Sequence, residues 1–307
     1  MDLEENLILY DWLSFTAPSW SDPYLFVKLL GLENCSWETI KGARGYQDRL
    51  YFNSISIHYN GRPDMGIWCE MSGQGCRTFE TLSTLPNKWE DLFPLLFEYH
   101  LNITRLDVAY DDHVGILDID QIALDTWHQE YVSKSDYWEV VTSAKGQTVQ
   151  IGSPKSDVLI RIYDKARERH CPAGEHWVRC ELQLRRDRAV RFLELKLPIG
   201  DAFRGVVMNY LRFVDPLPGD SNRWRWPIKD YWQNFLDDAH KISIYRAPGI
   251  DYNLDRLQKY VINQAGNAIA AYVDIKGEEQ FMKDLAARDT KPNLKYDQLV
   301  AKYKSLS

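Results

Sequence analysis

The chain has 307 residues and a formal net charge of −7, with 45% hydrophobic and 26% charged residues. This composition is typical of a globular protein of one or two domains, and it excludes a chain held to nucleic acid by bulk positive charge. No apolar run is long enough to span a bilayer, and the acidic start MDLEENL lacks the basic region of a signal peptide.

Hydrophobic alternation and turn signals predict the elements of the first hundred residues. Strands are predicted over residues 7–15, 46–59 and 65–72, the last two joined at an Asn60-Gly61 turn. A short helix is predicted over residues 22–32, with Asp22 as N-cap and Pro23 at its first position. Residues 72–77, SGQGCR, are interpreted as a glycine turn in which Arg77 contacts a phosphate, although short glycine turns are common.

The remainder alternates helices and strands as far as residue 215. Helices are predicted over residues 87–100, 118–129, 187–197, 230–240 and 252–273, and strands over 105–112, 137–151, 158–165 and 176–185. Pro216, Pro218 and Gly219 interrupt the chain. We therefore predict an α+β domain over residues 1–215 and a mostly helical extension over 216–307 packed on it. The RWRWP run inside the extension is either part of an ordinary helical appendage or an Arg/Trp surface for DNA.

Three of the predicted strands share one design. In RLDVAYDD, LIRIYDK and VRCELQLR, apolar residues take one face and polar residues take the other. If the strands are neighbours, their polar faces bring together Asp107, Asp111, Glu181, Tyr163, Lys165 and several arginines. Carboxylates suit a hard divalent cation, arginine and lysine suit phosphate, and a tyrosine beside a metal-bound phosphate is a candidate nucleophile.

This interpretation competes with an ordinary one, because antiparallel sheets often keep one face solvated and charged. His113 follows Asp111 and Asp112 and is either a further metal ligand or part of a polar turn, and the turn is the more common case. A basic segment supports a local nucleic-acid interface. Residues 155–191 hold ten Lys or Arg against six Asp or Glu in an otherwise acidic chain.

Other chemistries lack their motifs. The chain has no GxxxxGK[ST] phosphate loop, no GxSxG, no HExxH and no His-x-His pair. Its five cysteines form no Cys-x-x-Cys pair and no zinc spacing with histidine, which predicts reduced thiols and a cytoplasmic protein.

Five segments, in this order along the chain, resemble the trans-acting replication initiator family. They are YNGRPDMGIWCEMSGQGCRTFE, ITRLDVAYDD, GSPKSDVLIRIYDKARE, WVRCELQLRR and WPIKDYWQNFL. The resemblance covers about residues 7–275 and includes rolling-circle initiators of plasmids, filamentous phages and conjugative elements. It implies a relaxase-like α+β domain around a central antiparallel sheet with flanking helices, related to the HUH endonucleases but without their His-x-His pair.

The resemblance also implies an activity, which is a site-specific nick in one DNA strand with Mg²⁺ or Mn²⁺ as cofactor. It assigns the nucleophile to Tyr163 and metal ligands to Asp107, Asp111 and Glu181. Lys165 would favour the phenolate, and Arg161 or Arg179 would hold the phosphate charge. DNA contacts are expected from Arg77, Arg105, Lys155, Arg179 and Arg185. The expected partner is origin DNA at a single-stranded or extruded nick site.

A host helicase, a homodimer and a bacterial cytoplasmic location are further expectations, and no membrane is expected. Two other functions stay open for this chain. One is a non-catalytic DNA-binding regulator on the same scaffold, and the other is a metal-dependent nuclease that uses water, with Tyr163 merely structural.

Overall fold

The structure is a computed structural model that describes residues 7–17, 22–144, 146–237 and 265–287, together with 257, 258, 261, 262, 300 and 304. The chain divides into two compact units, Met1–Tyr245 and Arg246–Ser307. The second unit contains two described helices, Gly266–Lys276 and Glu278–Ala287. Among the helices that the structure describes, none combines the length and the apolar character needed to cross a membrane.

The first unit is built on one large antiparallel sheet. The strands described in this unit, including two outside the large sheet, are β1 (Leu7–Ala17), β2 (Glu38–Lys41), β3 (Asp48–Phe52), β4 (Ile55–Tyr59), β5 (Ile67–Met71), β6 (Asn102–Asp112), β7 (Tyr131–Ser133), β8 (Trp138–Ser143), β9 (Gly146–Ile151), β10 (Val158–Asp164), β11 (Val178–Arg185) and β12 (Leu211–Phe213). Ten strands form the sheet in the order β2-β3-β4-β5-β1-β6-β11-β10-β9-β8, and β12 pairs with β7 separately. Every strand pair is antiparallel, which agrees with the predicted fold class.

The helices of this unit are α1 (Tyr24–Leu29), α2 (Gly73–Leu82), α3 (Trp89–Glu98), α4 (Ile119–Trp127), α5 (Lys165–Glu168), α6 (Asp187–Glu194), α7 (Ile199–Tyr210) and α8 (Asp230–Leu236). Strand alternation gives the sheet two different faces. On the first face, buried residues such as Leu106, Ile160 and Leu182 join helix residues such as Phe203 in one hydrophobic core. The second face carries polar and aromatic side chains, and it contains the candidate site described below.

Two predicted segments in the first hundred residues are wrong in detail. The strand predicted over residues 46–59 is a hairpin, because Asn53 and Ser54 adopt positive φ values of 39° and 67°, as the central residues of two-residue hairpin turns do. The predicted glycine turn at 72–77 is the start of α2. A Cβ on Gly75 would lie 2.4 Å from the Ser54 carbonyl oxygen, so this glycine lets the helix pack closely against that turn.

The compact unit continues past the predicted boundary at residue 215, because Trp232, Phe235 and Leu236 are buried in its core. The helix predicted over 230–240 ends at Leu236. The last part of the helix predicted over 252–273 lies in the helix Gly266–Lys276, and residues 252–256, 259, 260, 263 and 264 lie outside the described residues. Helix α7 is an element that the sequence analysis did not predict. The assignment of nicking to residues 1–215 alone stays a prediction.

Trp232→Ala is expected to reduce the free energy of unfolding by about 3–5 kcal/mol, the usual cost of truncating a fully buried aromatic side chain. Trp232 is 0% exposed, its ring centroid lies 4.7 Å from that of Phe235, and its Nε1 donates to the Leu211 carbonyl oxygen at 3.3 Å. Urea unfolding of the full chain measures this loss. Trp224→Ala is the matched control at a 51% exposed position, and an equal loss in both variants would contradict the packing described here.

Candidate active site

The three strands with polar faces lie side by side, with β11 between β6 and β10. Across β10 and β11, Arg161 is opposite Glu181 and Tyr163 is opposite Arg179. Across β11 and β6, Gln183 is opposite Asp107 and Arg179 is opposite Asp111. Residues that are directly opposite in an antiparallel pair project from the same face, so this register collects their side chains on the second face of the sheet.

A cleft of about 430 Å³ opens on this face. It brings together six of the residues predicted from sequence, which are Arg105, Asp107, Arg161, Tyr163, Lys165 and Glu181. Asp11, Trp12 and Glu168 also line it. The cleft therefore combines a phenolic hydroxyl, carboxylates and cations, which are groups that phosphoryl transfer can use.

Tyr163 holds the central hydroxyl of the cleft. Its Oη donates to Glu181 Oε2 at 3.4 Å and accepts from Lys165 Nζ at 3.3 Å. Lys165 is buried at the start of α5 and also pairs with Glu168 at 2.5 Å. Burial, and next the charge of Glu181, raise the pKa of Tyr163. The hydroxyl is thus a neutral phenol at rest, with an acceptor and a cation already in contact with it.

Asp107 and Glu181 form a carboxylate pair at the base of the cleft. Both side chains are buried, and they share a hydrogen bond. Burial raises the pKa of Asp107 to about 7 against the opposing effect of Arg105, and the charge of Glu181 adds to the rise. Burial also opposes ionisation of Glu181, but the adjacent Arg161 outweighs it and lowers the pKa of that carboxyl. Two buried carboxylates in contact favour a shared proton or a bound cation.

Arg179 is buried beside the cleft and binds two aspartates. Its Nε and Nη2 bond the two oxygens of Asp111, each at 2.6 Å, and its Nη1 lies 2.9 Å from Asp11 Oδ2. Trp177 Nε1 donates to Asp111 Oδ1 at 2.7 Å. Both carboxylate oxygens of Asp111 therefore accept hydrogen bonds from protein donors. Asp111 does not line the cleft, whereas Asp107 and Glu181 do. The predicted roles of Asp111 as a metal ligand and Arg179 as a DNA contact stay predictions.

Asp11 is a site residue that the sequence analysis missed. The β1–β6 register shifts between Tyr10 and Trp12, so Asp11 is the extra residue of a bulge that directs it to the second face. A Cβ on Gly73 would lie 2.6 Å from Asp11 Oδ1, so this glycine lets α2 approach the carboxylate. The signal in the sequence was an aspartate in the middle of an otherwise apolar strand.

Of the other predicted DNA contacts, Arg105 lines the cleft, whereas Arg77, Lys155 and Arg185 do not. Arg77 donates to the Tyr10 carbonyl oxygen at 2.6 Å and to Glu80 at 2.7 Å, whereas Lys155 is exposed in the loop before β10. Arg105 bonds Asp107 and lies 4.4 Å from the ring centroid of Trp12, and Arg185 is opposite it in the β11–β6 register.

The structure favours the turn interpretation of the residues around His113. The Asp112 carboxylate accepts the backbone N–H groups of Val114, Gly115 and Leu117, and it also contacts His176 Nε2 at 3.1 Å. These contacts account for the run Asp111-Asp112-His113 as the polar start of a turn that leads into α4.

Within the described ranges, no cluster of three or more His, Cys, Asp or Glu side chains is arranged to hold a metal ion. The Asp107–Glu181 pair nevertheless fits a hard divalent cation. Its carboxylate oxygens are buried side by side, and two neighbouring carboxylates are the kind of hard oxygen donors that such a cation takes. A larger cavity of about 1210 Å³ lies between α3 and the segment 192–202, but its lining is mainly apolar and does not offer this chemistry.

The sequence matches two known family models. The model described as replication initiation factor matches residues 101–286, and the model of the rolling circle replication initiation protein N-terminal domain matches residues 7–95. The chain belongs to the replication initiation factor family. The resemblance identified from the five sequence segments is therefore confirmed.

A sequence relative and a solved structure agree with this family assignment. The putative DNA relaxase NicK of Bacillus subtilis (strain 168) is 30% identical over 237 residues, which cover 70% of this chain and 66% of the relative, just under two thirds of its length. The solved structure of a rolling circle replication initiator protein from Geobacillus stearothermophilus is 31% identical, with a TM-score of 0.71. That similarity covers 79% of this chain and 100% of the other, which confirms the predicted α+β fold.

Proposed function

We propose that this chain nicks and rejoins one strand of origin DNA through a covalent phosphotyrosine intermediate, with Tyr163 as nucleophile. The observation that carries the proposal is the position of the Tyr163 hydroxyl, between a carboxylate acceptor and a lysine donor in the cleft of a replication initiation factor. Among the residues that the structure describes, Tyr163 is the one tyrosine that lines this cleft.

The proposed step exchanges one phosphodiester bond for another. Tyr163 Oη attacks the scissile phosphorus, and the bond from phosphorus to the 3′ oxygen of the preceding nucleotide breaks. The phenol proton passes to a base, and the departing oxygen takes up a proton to become the 3′-OH that primes synthesis. The 5′ phosphate remains on Tyr163, so attack by a 3′-OH reverses the step without ATP. The absence of a GxxxxGK[ST] phosphate loop is compatible with this chemistry.

Three side chains have direct roles in this proposal. Glu181 accepts the hydrogen bond of the Tyr163 hydroxyl and is placed to receive its proton. Lys165 donates to the same oxygen and stabilises the phenolate as it forms. Arg161 lines the cleft beside Glu181 and is placed to balance charge on the phosphate in the transition state.

Asp107 and Glu181 are the residues that would hold a divalent cation, Mg²⁺ or Mn²⁺. When bound, such a cation offsets the carboxylate charge and polarises the phosphate. The half-buried position of Tyr163 in the cleft also restricts the substrate, since a base-paired duplex cannot enter the cleft. We therefore propose single-stranded or extruded origin DNA as substrate, contacted by Arg105 and Arg185. A helicase partner, a homodimer and a cytoplasmic location stay predictions.

The test uses the full chain and end-labelled single-stranded fragments that tile the origin of the DNA element encoding it. With Mn²⁺ or Mg²⁺, we expect one fragment to be cleaved and its 3′ portion to run at protein mass on a denaturing gel. Chelation of the metal with EDTA is expected to abolish both products, and fresh Mn²⁺ to restore them. Cleavage without an adduct would instead indicate a water-using nuclease, and binding without cleavage would indicate a regulator.

A further inference from the structure

A second depression continues from the cleft along the same face of the sheet, away from Tyr163. Its volume is about 380 Å³, and we call it the aromatic groove. It is lined by Trp12, Arg44, Tyr46, Trp68, Arg105 and Arg185, with small polar side chains between them. Trp12 and Arg105 also line the cleft, so the two depressions are continuous across one surface.

Planar side chains dominate the groove. The Trp68 ring stacks on His58 with centroids 4.7 Å apart and on Tyr46 with centroids 6.4 Å apart. The Arg44 guanidinium lies 4.9 Å above the Trp68 ring, and Arg105 covers Trp12 in the same manner. Aromatic residues usually pack into cores. These rings are instead on the second face, because Trp68 is opposite Thr16 in the β1–β5 register and the core residues alternate with it.

The groove also contains hydrogen-bond donors without acceptors. Arg185 has no carboxylate partner among the residues that the structure describes, and its Nε forms no hydrogen bond there. Trp12 Nε1 is likewise buried without a partner. Arg44 is 68% exposed and contacts Glu70 only at 3.9 Å. The Arg44 and Arg185 guanidinium groups therefore bring positive charge to the groove with at most one distant carboxylate contact among the described residues, which suits the oxygens of a phosphate backbone.

We propose that the aromatic groove binds the single-stranded DNA next to the scissile phosphate. A base takes the place of the exposed Arg44 guanidinium over Trp68, and backbone phosphates bind Arg44 and Arg185. This inference rests on the proposed function for the identity of the strand. Aromatic rings interleaved with cations are the usual means of holding single strands, because every base has a stacking face. The shared residues Trp12 and Arg105 let a bound strand pass from the groove to Tyr163 on one continuous surface.

The test measures binding separately from cleavage. Tyr163→Phe serves as an uncut background, and fluorescence anisotropy gives its affinity for a labelled single-stranded origin fragment. In this Tyr163→Phe background, the additional substitution Trp68→Ala is expected to weaken binding about tenfold. The additional substitution Trp68→Phe should retain most of the affinity. Trp127→Ala, an exposed tryptophan on α4 outside the groove, is the matched control and should leave affinity unchanged. Thermal melting checks that each variant folds.

An abasic scan of the same oligonucleotide identifies the stacked base. One abasic position near the nick should weaken binding to the protein that keeps Trp68. The same abasic position should not weaken binding to the Trp68→Ala variant any further, because that variant has already lost the stacking contact. Equal affinities of Trp68→Ala and Trp127→Ala would overturn the proposal, as would additive losses at every position. The adduct assay on the natural chain is independent. If the adduct forms but Trp68→Ala does not weaken binding, only the groove proposal is rejected. If Trp68→Ala weakens binding but no adduct forms, only the proposed nicking function is rejected.

Discussion

Tyr163→Phe is expected to fold and to bind origin DNA, and to form neither a nick nor a covalent adduct. The change removes only the hydroxyl, whose two hydrogen bonds are long, at 3.4 and 3.3 Å, so the loss of stability should be small. The same oxygen is the proposed nucleophile, and we expect nicking to fall by at least about a thousandfold. Single-turnover cleavage of the labelled origin fragment with Mn²⁺ measures this loss.

Tyr137→Phe is the matched control for that experiment. Tyr137 is exposed, lies outside the cleft and bonds Glu139 at 3.2 Å, so the substitution removes an equivalent hydroxyl and hydrogen bond. It should nick at the natural rate. Residual nicking by Tyr163→Phe at a comparable rate would show that another group attacks the phosphate.

Glu181→Gln is expected to reduce nicking by at least about a hundredfold. The substitution keeps the size of the side chain but removes the charge that contacts Arg161, Tyr163 and Asp107. It therefore removes both the proposed proton acceptor and half of the proposed cation site. Arg161 is 34% exposed and can be hydrated after the change, so the fold should survive. Cleavage rates across a range of Mn²⁺ concentrations measure both effects.

The control for Glu181 is Glu194→Gln, which removes a carboxylate from a surface ion pair with Arg191 outside the cleft. Exposed ion pairs contribute little to stability, and neither nicking nor melting should change. The role given to this carboxylate would be contradicted if Glu181→Gln nicked at the rate of the unsubstituted protein and needed the same Mn²⁺ concentration.

Alternation along three strands was sufficient to predict most of the cleft. The period of two in β6, β10 and β11 separates their polar side chains from the core, and the shared layout correctly suggested that the strands are neighbours. Tyr163, Asp107 and Glu181 follow from that reasoning alone, whereas Lys165 reaches the cleft from the first residue of α5, just beyond the end of β10.

The parts that could not be predicted depend on register and on local backbone geometry. Asp11 reaches the cleft through a bulge, which shifts the face of a residue that simple alternation assigns to the core side. Asp111 is held by Arg179 and Trp177, because the β11–β6 register places Arg179 directly opposite it. Two further features depend on contacts between distant segments, namely the packing of Gly75 against Ser54 and the stack of Tyr46 on Trp68.

The most direct test of the central claim is to identify the amino acid that becomes linked to DNA. The adduct formed with Mn²⁺ on the natural chain would be digested with nuclease and protease, and the peptide that keeps a nucleotide would be sequenced by mass spectrometry. The proposal predicts a phosphodiester on Tyr163, within the tryptic peptide that follows Arg161. A nucleotide on any other residue, or cleaved DNA with no modified peptide, would contradict it.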